Sequence, residues 1–213
     1  MQELIEKLHG IGLVPVIVLE RAEDACPLAE ALLKGGLPCA EITFRTEAAE
    51  EAISIMTKTH PELLVGAGTV LDCIQADKAM SAGASFIVTP GYSERITAHC
   101  LASGYPVIPG CATPADLMSA TEQGLDCVKF FPAEAAGGLN YLRAIAAPFR
   151  NMSFLPTGGI HPGLLKSYLS WNRITACGGS WMTDPGLIRA GRFDEITRLC
   201  AEARVLVKEA RNP

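Results

Sequence analysis

The chain has 213 residues, 49% of them hydrophobic, enough to bury one large core, and it carries a formal charge of −5 with its lysines and arginines scattered singly. With a pI near 5.4 it offers no basic field for nucleic acid. Its apolar runs, such as residues 13–19, are strand-sized, and its start, Met1-Gln2-Glu3-Leu4-Ile5-Glu6-Lys7, is amphipathic without a secretory pattern, so the expectation is a cytoplasmic protein with no membrane partner.

Residues 1–10 read as a helix ahead of the first strand, placed to close the N-terminal mouth of a barrel. Short β-like runs then alternate with helical patterns to the end of the chain. The runs cover residues 14–19, 39–44, 63–66, 86–89, 107–109, 127–130, 153–156 and 174–177. The helical stretches between them cover 23–34, 47–59, 73–82, 94–103, 114–123, 139–146 and 162–169, and a last helix over 193–210 has apolar residues at a spacing suited to packing. Each pair takes roughly 20 to 25 residues, the rhythm of repeated β-α units. Eight such units predict an α/β fold, a single-domain (β/α)8 TIM barrel over residues 1–213 with an extra N-terminal helix. An open doubly wound sheet is the competing topology, and it favours a G-x-G-x-x-G turn that residues 14–21 lack.

The eight cysteines, at 26, 39, 73, 100, 111, 127, 177 and 200, form no C-x-x-C pair and read as reduced core residues. His9, His60, His99 and His161 are far apart in sequence, so neither a metal site nor a cofactor is expected. His161 reads as a solvated residue in the first turn of a helix.

Two charged residues interrupt apolar strands. Lys129 stands in Cys127-Val128-Lys129-Phe130-Phe131, a run that reads as a buried parallel strand. Removing an ammonium from water disfavours its charged form and leaves a nucleophilic amine, the group that Schiff-base chemistry requires. The alternative is a strand-end lysine whose head reaches solvent along its own stem. Glu41 sits in Cys39-Ala40-Glu41-Ile42-Thr43-Phe44, with Arg45 just beyond, and reads as an ion-pair partner or a solvated edge residue on the one hand, or as an acid/base on the other. Together they describe a proton shuttle beside an amine nucleophile.

Glycines gather at the predicted strand ends, in Gly66-Ala67-Gly68-Thr69, Pro90-Gly91, Pro109-Gly110, Thr157-Gly158-Gly159-Ile160 and Gly178-Gly179-Ser180. The last two follow the seventh and eighth strands, where barrels commonly hold phosphate on backbone N–H groups. They predict a phosphorylated ligand bound with little basic side-chain charge.

Assembled, these residues resemble the class I aldolases that cleave 2-keto-3-deoxy-6-phosphogluconate, the KDPG/KHG aldolase family. The resemblance rests on Val14-Pro15-Val16-Ile17, Glu41-Ile42-Thr43-Phe44-Arg45-Thr46, Val65-Gly66-Ala67-Gly68-Thr69-Val70, Val128-Lys129-Phe130-Phe131-Pro132-Ala133-Glu134, Pro156-Thr157-Gly158-Gly159-Ile160 and Gly178-Gly179-Ser180-Trp181. It implies that Lys129 forms the Schiff base with the substrate C2 ketone and that Glu41 shuttles protons. It implies carboxylate binding by Arg45 and Thr69, phosphate binding by Gly158, Gly159, Gly179 and Ser180, and a pocket wall of Thr157, Pro90 and Phe131. A keto-acid sugar phosphate as the small-molecule partner, no cofactor and a homotrimer follow from the same likeness. Ser180 after Gly179 resembles the gluconate-type more than the galactonate-type enzymes, and 4-hydroxy-2-oxoglutarate is a further expected substrate. Leu19-Glu20-Arg21 departs from relatives that carry a basic residue at the end of the first strand. A metal-dependent barrel lyase or epimerase with Glu41 as ligand, and a sugar-phosphate-binding barrel without chemistry, are the competing readings.

Overall fold

Short runs rich in Val, Ile, Ala and Cys bury both faces as they extend, which is the environment of a parallel strand covered by helices. The computed structural model describes residues 1–211 and is built on this alternation. In chain order come α1 Gln2–Ile11, β1 Leu13–Ile17, α2 Ala25–Lys34, β2 Cys39–Thr43, α3 Ala49–Thr59, β3 Leu64–Gly68, α4 Cys73–Ser81 and β4 Phe86–Val88. The second half continues with α5 Glu94–Ala102, β5 Val107–Ile108, β6 Gly110–Cys111, α6 Pro114–Glu122, β7 Cys127–Phe130, α7 Gly138–Ala146, β8 Ser153–Pro156, α8 Pro162–Leu169, β9 Cys177–Gly179, α9 Pro185–Arg189 and α10 Phe193–Arg211. Side-chain oxygens start several helices where the sequence supplies them. Asp72 accepts from the Gln75 amide and Ser93 from the Ile96 amide, while Thr113 and Asp116 form a reciprocal capping box.

All strand pairs are parallel. One sheet runs β5-β4-β3-β2-β1-β9 and a second runs β6-β7-β8. Only Pro109 separates β5 from β6, and its carbonyl accepts the Lys129 N–H at 2.9 Å. At the other seam, single parallel bridges join Phe154 to Ile174 and Thr157 to Gly178. The parallel sheet therefore curls, with helices outside it.

The curl separates two apolar clusters. The larger lies between sheet and helices and includes Ile17, Ile42, Val65, Ile87, Val128 and Phe154. The smaller joins Val14, Cys39, Phe86, Val88, Ile108, Cys127, Leu155 and Ala176 from the strand side to Leu4 and Leu8 of α1. The N-terminal helix expected from residues 1–10 thus forms, and buries its apolar stripe on this inner cluster.

Strands over 127–130 and 153–156 and the helix over 162–169 fall where the sequence reading puts them. The first, second and fourth strands end one or two residues earlier than expected, at Ile17, Thr43 and Val88, and three others differ more. The fifth, expected over 107–109, breaks at Pro109, which has no N–H for the ladder. The third, expected over 63–66, extends to Gly68, so Ala67 and Gly68 are strand residues and not a turn. The eighth, expected over 174–177, lies at Cys177–Gly179, which again draws glycines into the ladder. The reason is space: a Cβ on Gly66 would overlap the Phe86 ring, and one on Gly179 would overlap Trp181. A 3-10 turn at Trp181–Thr183 and helix α9 have no counterpart in the sequence reading, although Asp184-Pro185 is a helix-start signal.

Burial pushes the Cys111, Cys177 and Cys200 thiols up to about 12, in keeping with cysteines that are free and inert. Among the described residues no helix is long and apolar enough to cross a membrane. Gly66→Ala should lower the unfolding free energy by about 1–3 kcal/mol through overpacking against Phe86. Gly10→Ala, whose added methyl meets nothing within 4 Å, should raise it by about 0.5–1 kcal/mol. Urea unfolding of the two variants checks both signs.

Candidate active site

Strand β2 places Glu41 at its middle and strand β7 places Lys129 one residue from its C-terminal end, each between apolar neighbours. Glu41 is 0% and Lys129 4% exposed. Lys129 Nζ donates to Glu41 Oε1 at 3.1 Å, and its ammonium stands 5.2 Å from the centre of the Phe131 ring. The lysine is therefore not the solvent-reaching strand-end residue that composition alone left open. Glu41 Oε2 is buried without a hydrogen-bond partner among the described residues, so half of the carboxylate is free to accept a proton or a hydroxyl. Room for the carboxylate exists because position 68 is glycine: a Cβ there would overlap Oε1 and crowd the carboxyl carbon at 2.8 Å.

Phe131 connects the pair to a cavity of about 250 Å³ at the ends of β1, β8 and β9. Thr157, Gly158, Gly159, Gly179 and Ser180 line it, together with Arg45. Arg45 Nε donates to Thr69 Oγ1 at 3.3 Å, so a guanidinium and a hydroxyl from the ends of β2 and β3 meet beside the cavity. Thr69 holds φ 55, a left-handed conformation that a β-branched residue adopts only under strain and that tends to mark functional positions. Gly158 and Gly159 have φ 101 and 78, and the backbone around them is held by Ala133 N donating to Thr157 O at 2.8 Å and Glu134 N donating to Gly158 O at 3.0 Å.

Pro90 is not part of this wall. It packs against Gly110, where a Cβ would overlap the Pro90 carbonyl. The end of the first strand contributes Val16 and Val18, while Glu20 pairs with Arg189 at 2.9 Å and Arg21 with Asp24 at 2.8 Å, and neither residue lines the cavity. Val16, Val18, Ile160 and Pro185 are lining residues that the sequence reading missed, because an apolar wall carries no chemical signature in sequence, and Thr183 was missed with the 3-10 turn that carries it. His161 is exposed at the start of α8, as expected.

One group of metal-type donors converges outside the cavity: single ligand atoms of Cys26, Glu30 and His60 lie within 4.8 Å of one another. None of the three is buried, and Glu30 is already paired with Lys34 at 3.0 Å. The group has no part in the chemistry of Lys129.

The chain matches the family described as KDPG and KHG aldolase over residues 4–199. It is 46% identical over 207 residues to a 2-dehydro-3-deoxy-phosphogluconate aldolase of Treponema pallidum, covering 97% of this chain and 99% of that one. It is 44% identical over 190 residues to the KHG/KDPG aldolase of Escherichia coli, covering 89% of each. Among solved structures it resembles the 2-keto-3-deoxy-6-phosphogluconate aldolase of Zymomonas mobilis with 3-phosphoglycerate, at TM-score 0.89, 42% identity and 95% of both chains. It also resembles the KDPG aldolase of Legionella pneumophila with pyruvate captured as a covalent carbinolamine, at TM-score 0.90, 38% identity, 93% of this chain and 97% of that one.

Gly68→Ala should force Glu41 away from Lys129 while leaving the sheets in place. We expect turnover to fall about 10²-fold, the cost of a displacement near 1 Å at the reacting groups, with the lost contact visible in the variant's crystal structure. Turnover at the parent rate would remove the close Glu41–Lys129 contact from the chemistry.

Proposed function

Because this chain belongs to the KDPG and KHG aldolase family, we infer that the buried Lys129–Glu41 pair is the catalytic centre of a class I aldolase. The enzyme is an aldehyde-lyase that cleaves 2-dehydro-3-deoxy-6-phosphogluconate to pyruvate and glyceraldehyde 3-phosphate. The observation that carries the site assignment is the 3.1 Å contact between an amine and a carboxylate inside apolar strands.

The Lys129 amine attacks the C2 ketone, and the carbinolamine loses its hydroxyl as water with a proton supplied through Glu41. The resulting protonated imine draws electrons. Removal of the C4 hydroxyl proton then lets the C3–C4 bond break, its electron pair passing to the iminium as the aldehyde leaves. The enamine takes a proton at C3, and water releases pyruvate from Lys129. Glu41 Oε2, free of other partners, is the atom suited to these transfers.

Arg45 and Thr69 bind the substrate carboxylate, a role supported by their mutual hydrogen bond at the cavity edge. Gly158, Gly159, Gly179 and Ser180 bind the phosphate through backbone groups and the hydroxyl, with Thr157 and Phe131 as walls and Pro90 behind Gly110. The two parallel sheets act as one closed (β/α)8 barrel, a single domain capped by α1; its expected span reaches residue 213, and 212–213 lie outside the described residues. The enzyme works in the cytoplasm as a homotrimer without a metal or organic cofactor. It also cleaves 4-hydroxy-2-oxoglutarate to pyruvate and glyoxylate, a reading supported by the similarity to a KHG/KDPG aldolase.

Incubation with pyruvate and borohydride should add one reduced pyruvoyl group at Lys129, read by intact mass and peptide mapping, and Lys129→Ala should remove it. Pyruvate binding without an adduct, or loss of turnover in EDTA, would favour the metal-dependent lyase. Glu41→Gln keeps the hydrogen-bonding shape without the proton-accepting carboxylate. Steady-state rates should fall roughly 10²–10⁴-fold, and an unchanged rate would remove Glu41 from the mechanism.

A further inference from the structure

The last residue of the Lys-Phe-Phe-Pro-Ala-Glu run has no role in the chemistry above, yet several parts of the cavity wall meet on it. Its backbone N–H donates to Gly158 O at 3.0 Å. Its side chain closes the space behind the glycine turn, since a Cβ on Gly159 would stand 2.7 Å from Glu134 Cβ. Its carboxylate Oε1 accepts a hydrogen bond from Tyr168 Oη at 2.5 Å.

Tyr168 lies in the last turn of α8, the helix that follows the glycine turn, and is 1% exposed. Gly138 leaves room for this contact: a Cβ there would come within 3.1 Å of Glu134 Oε1 and 3.6 Å of Tyr168 Oη. The glycine turn is therefore held on one side by the backbone of residues 133 and 134 and continues on the other into the helix that Tyr168 ties to the same glutamate. Burial, and then the carboxylate, push the Tyr168 phenol well above its ordinary range, so it remains a donor at neutral pH.

We propose that Glu134 and Tyr168 form a positioning clamp that fixes the Gly158–Gly159 turn for a phosphate group, and so set preference for phosphorylated over unphosphorylated keto-acid substrates. The clamp touches neither Lys129 nor the reacting carbons. It acts on the turn alone, and it rests on the reading of that turn as the phosphate site. Backbone donors bind an anion well only when their directions are fixed in advance, because each loosened N–H gives up interaction and adds ordering cost.

Tyr168→Phe removes one hydroxyl and leaves the carboxylate of the exposed Glu134 free to hydrate, so the variant should fold with a melting temperature near the parent's. Its KM for the phosphorylated substrate and its inhibition constant for inorganic phosphate should both rise roughly tenfold, the loss expected for one hydrogen bond to a charged group. The kcat for that substrate, and KM for 4-hydroxy-2-oxoglutarate, should stay within about twofold. Glu134→Gln keeps a carbonyl acceptor for the phenol and should retain the parent's discrimination between the two substrates. Equal losses on both substrates, unchanged constants in Tyr168→Phe, or loss of discrimination in Glu134→Gln would each overturn the clamp. If inorganic phosphate fails to compete in the parent enzyme, the phosphate-site reading falls and takes the clamp with it. If phosphate competes but Tyr168→Phe binds it unchanged, the clamp falls alone.

Discussion

Two charges inside apolar strands are tolerated only in each other's company. Either Lys129 or Glu41 alone would leave a nearly unexposed ionisable group without a partner, a cost of several kcal/mol, and the pair at 3.1 Å offsets part of that loss. The two residues come from different sheets, β2 in the six-stranded one and β7 in the three-stranded one. Their contact therefore depends on the curl of the whole structure. Helices, seams and inner core all serve to hold these strands at a distance where one proton can pass between them.

The same curl explains where the glycines are. Side chains on the inner face of a tightly curved sheet compete for volume, and the structure resolves the competition by pairing each intruding group with an absent Cβ. Phe86 lies against Gly66, Glu41 against Gly68 and Thr157 against Gly178, and on the opposite face of β9 Trp181 lies against Gly179. On the side nearer α1, Phe86 and Leu155 fill the interior together with Leu4 and Leu8. On the opposite side the small residues leave a cavity, and the buried pair lies between the two regions. Apolar packing thus supports the reacting groups from below while the space above them stays open.

The cavity wall also accounts for an acidic chain that handles an acidic substrate. Arg45 is the single basic residue among its lining, and the remainder of the proposed anion recognition falls to glycines and hydroxyls. Recognition of this kind depends on backbone direction, which places weight on residues outside the cavity. The amides of Ala133 and Glu134 and the hydroxyl of Tyr168 bear on the glycine turn without being part of its surface.

Local sequence pattern determined the alternation of strands and helices, the N-terminal helix and the nature of the reacting groups. Apolar periodicity and capping signals act within a few residues, and a lysine or glutamate in an apolar run is unusual in any fold. Tertiary structure alone decided that Glu41 and Lys129, 88 positions apart, touch, and that Gly68, Gly178 and Gly179 belong to strands and not to turns. It also decided that Val16, Val18 and Pro185 line the cavity while Pro90 does not. Which side chain meets which vacancy is a property of the curled sheet as a whole, and a glycine in sequence looks the same whether it frees a backbone angle or makes room for a distant neighbour.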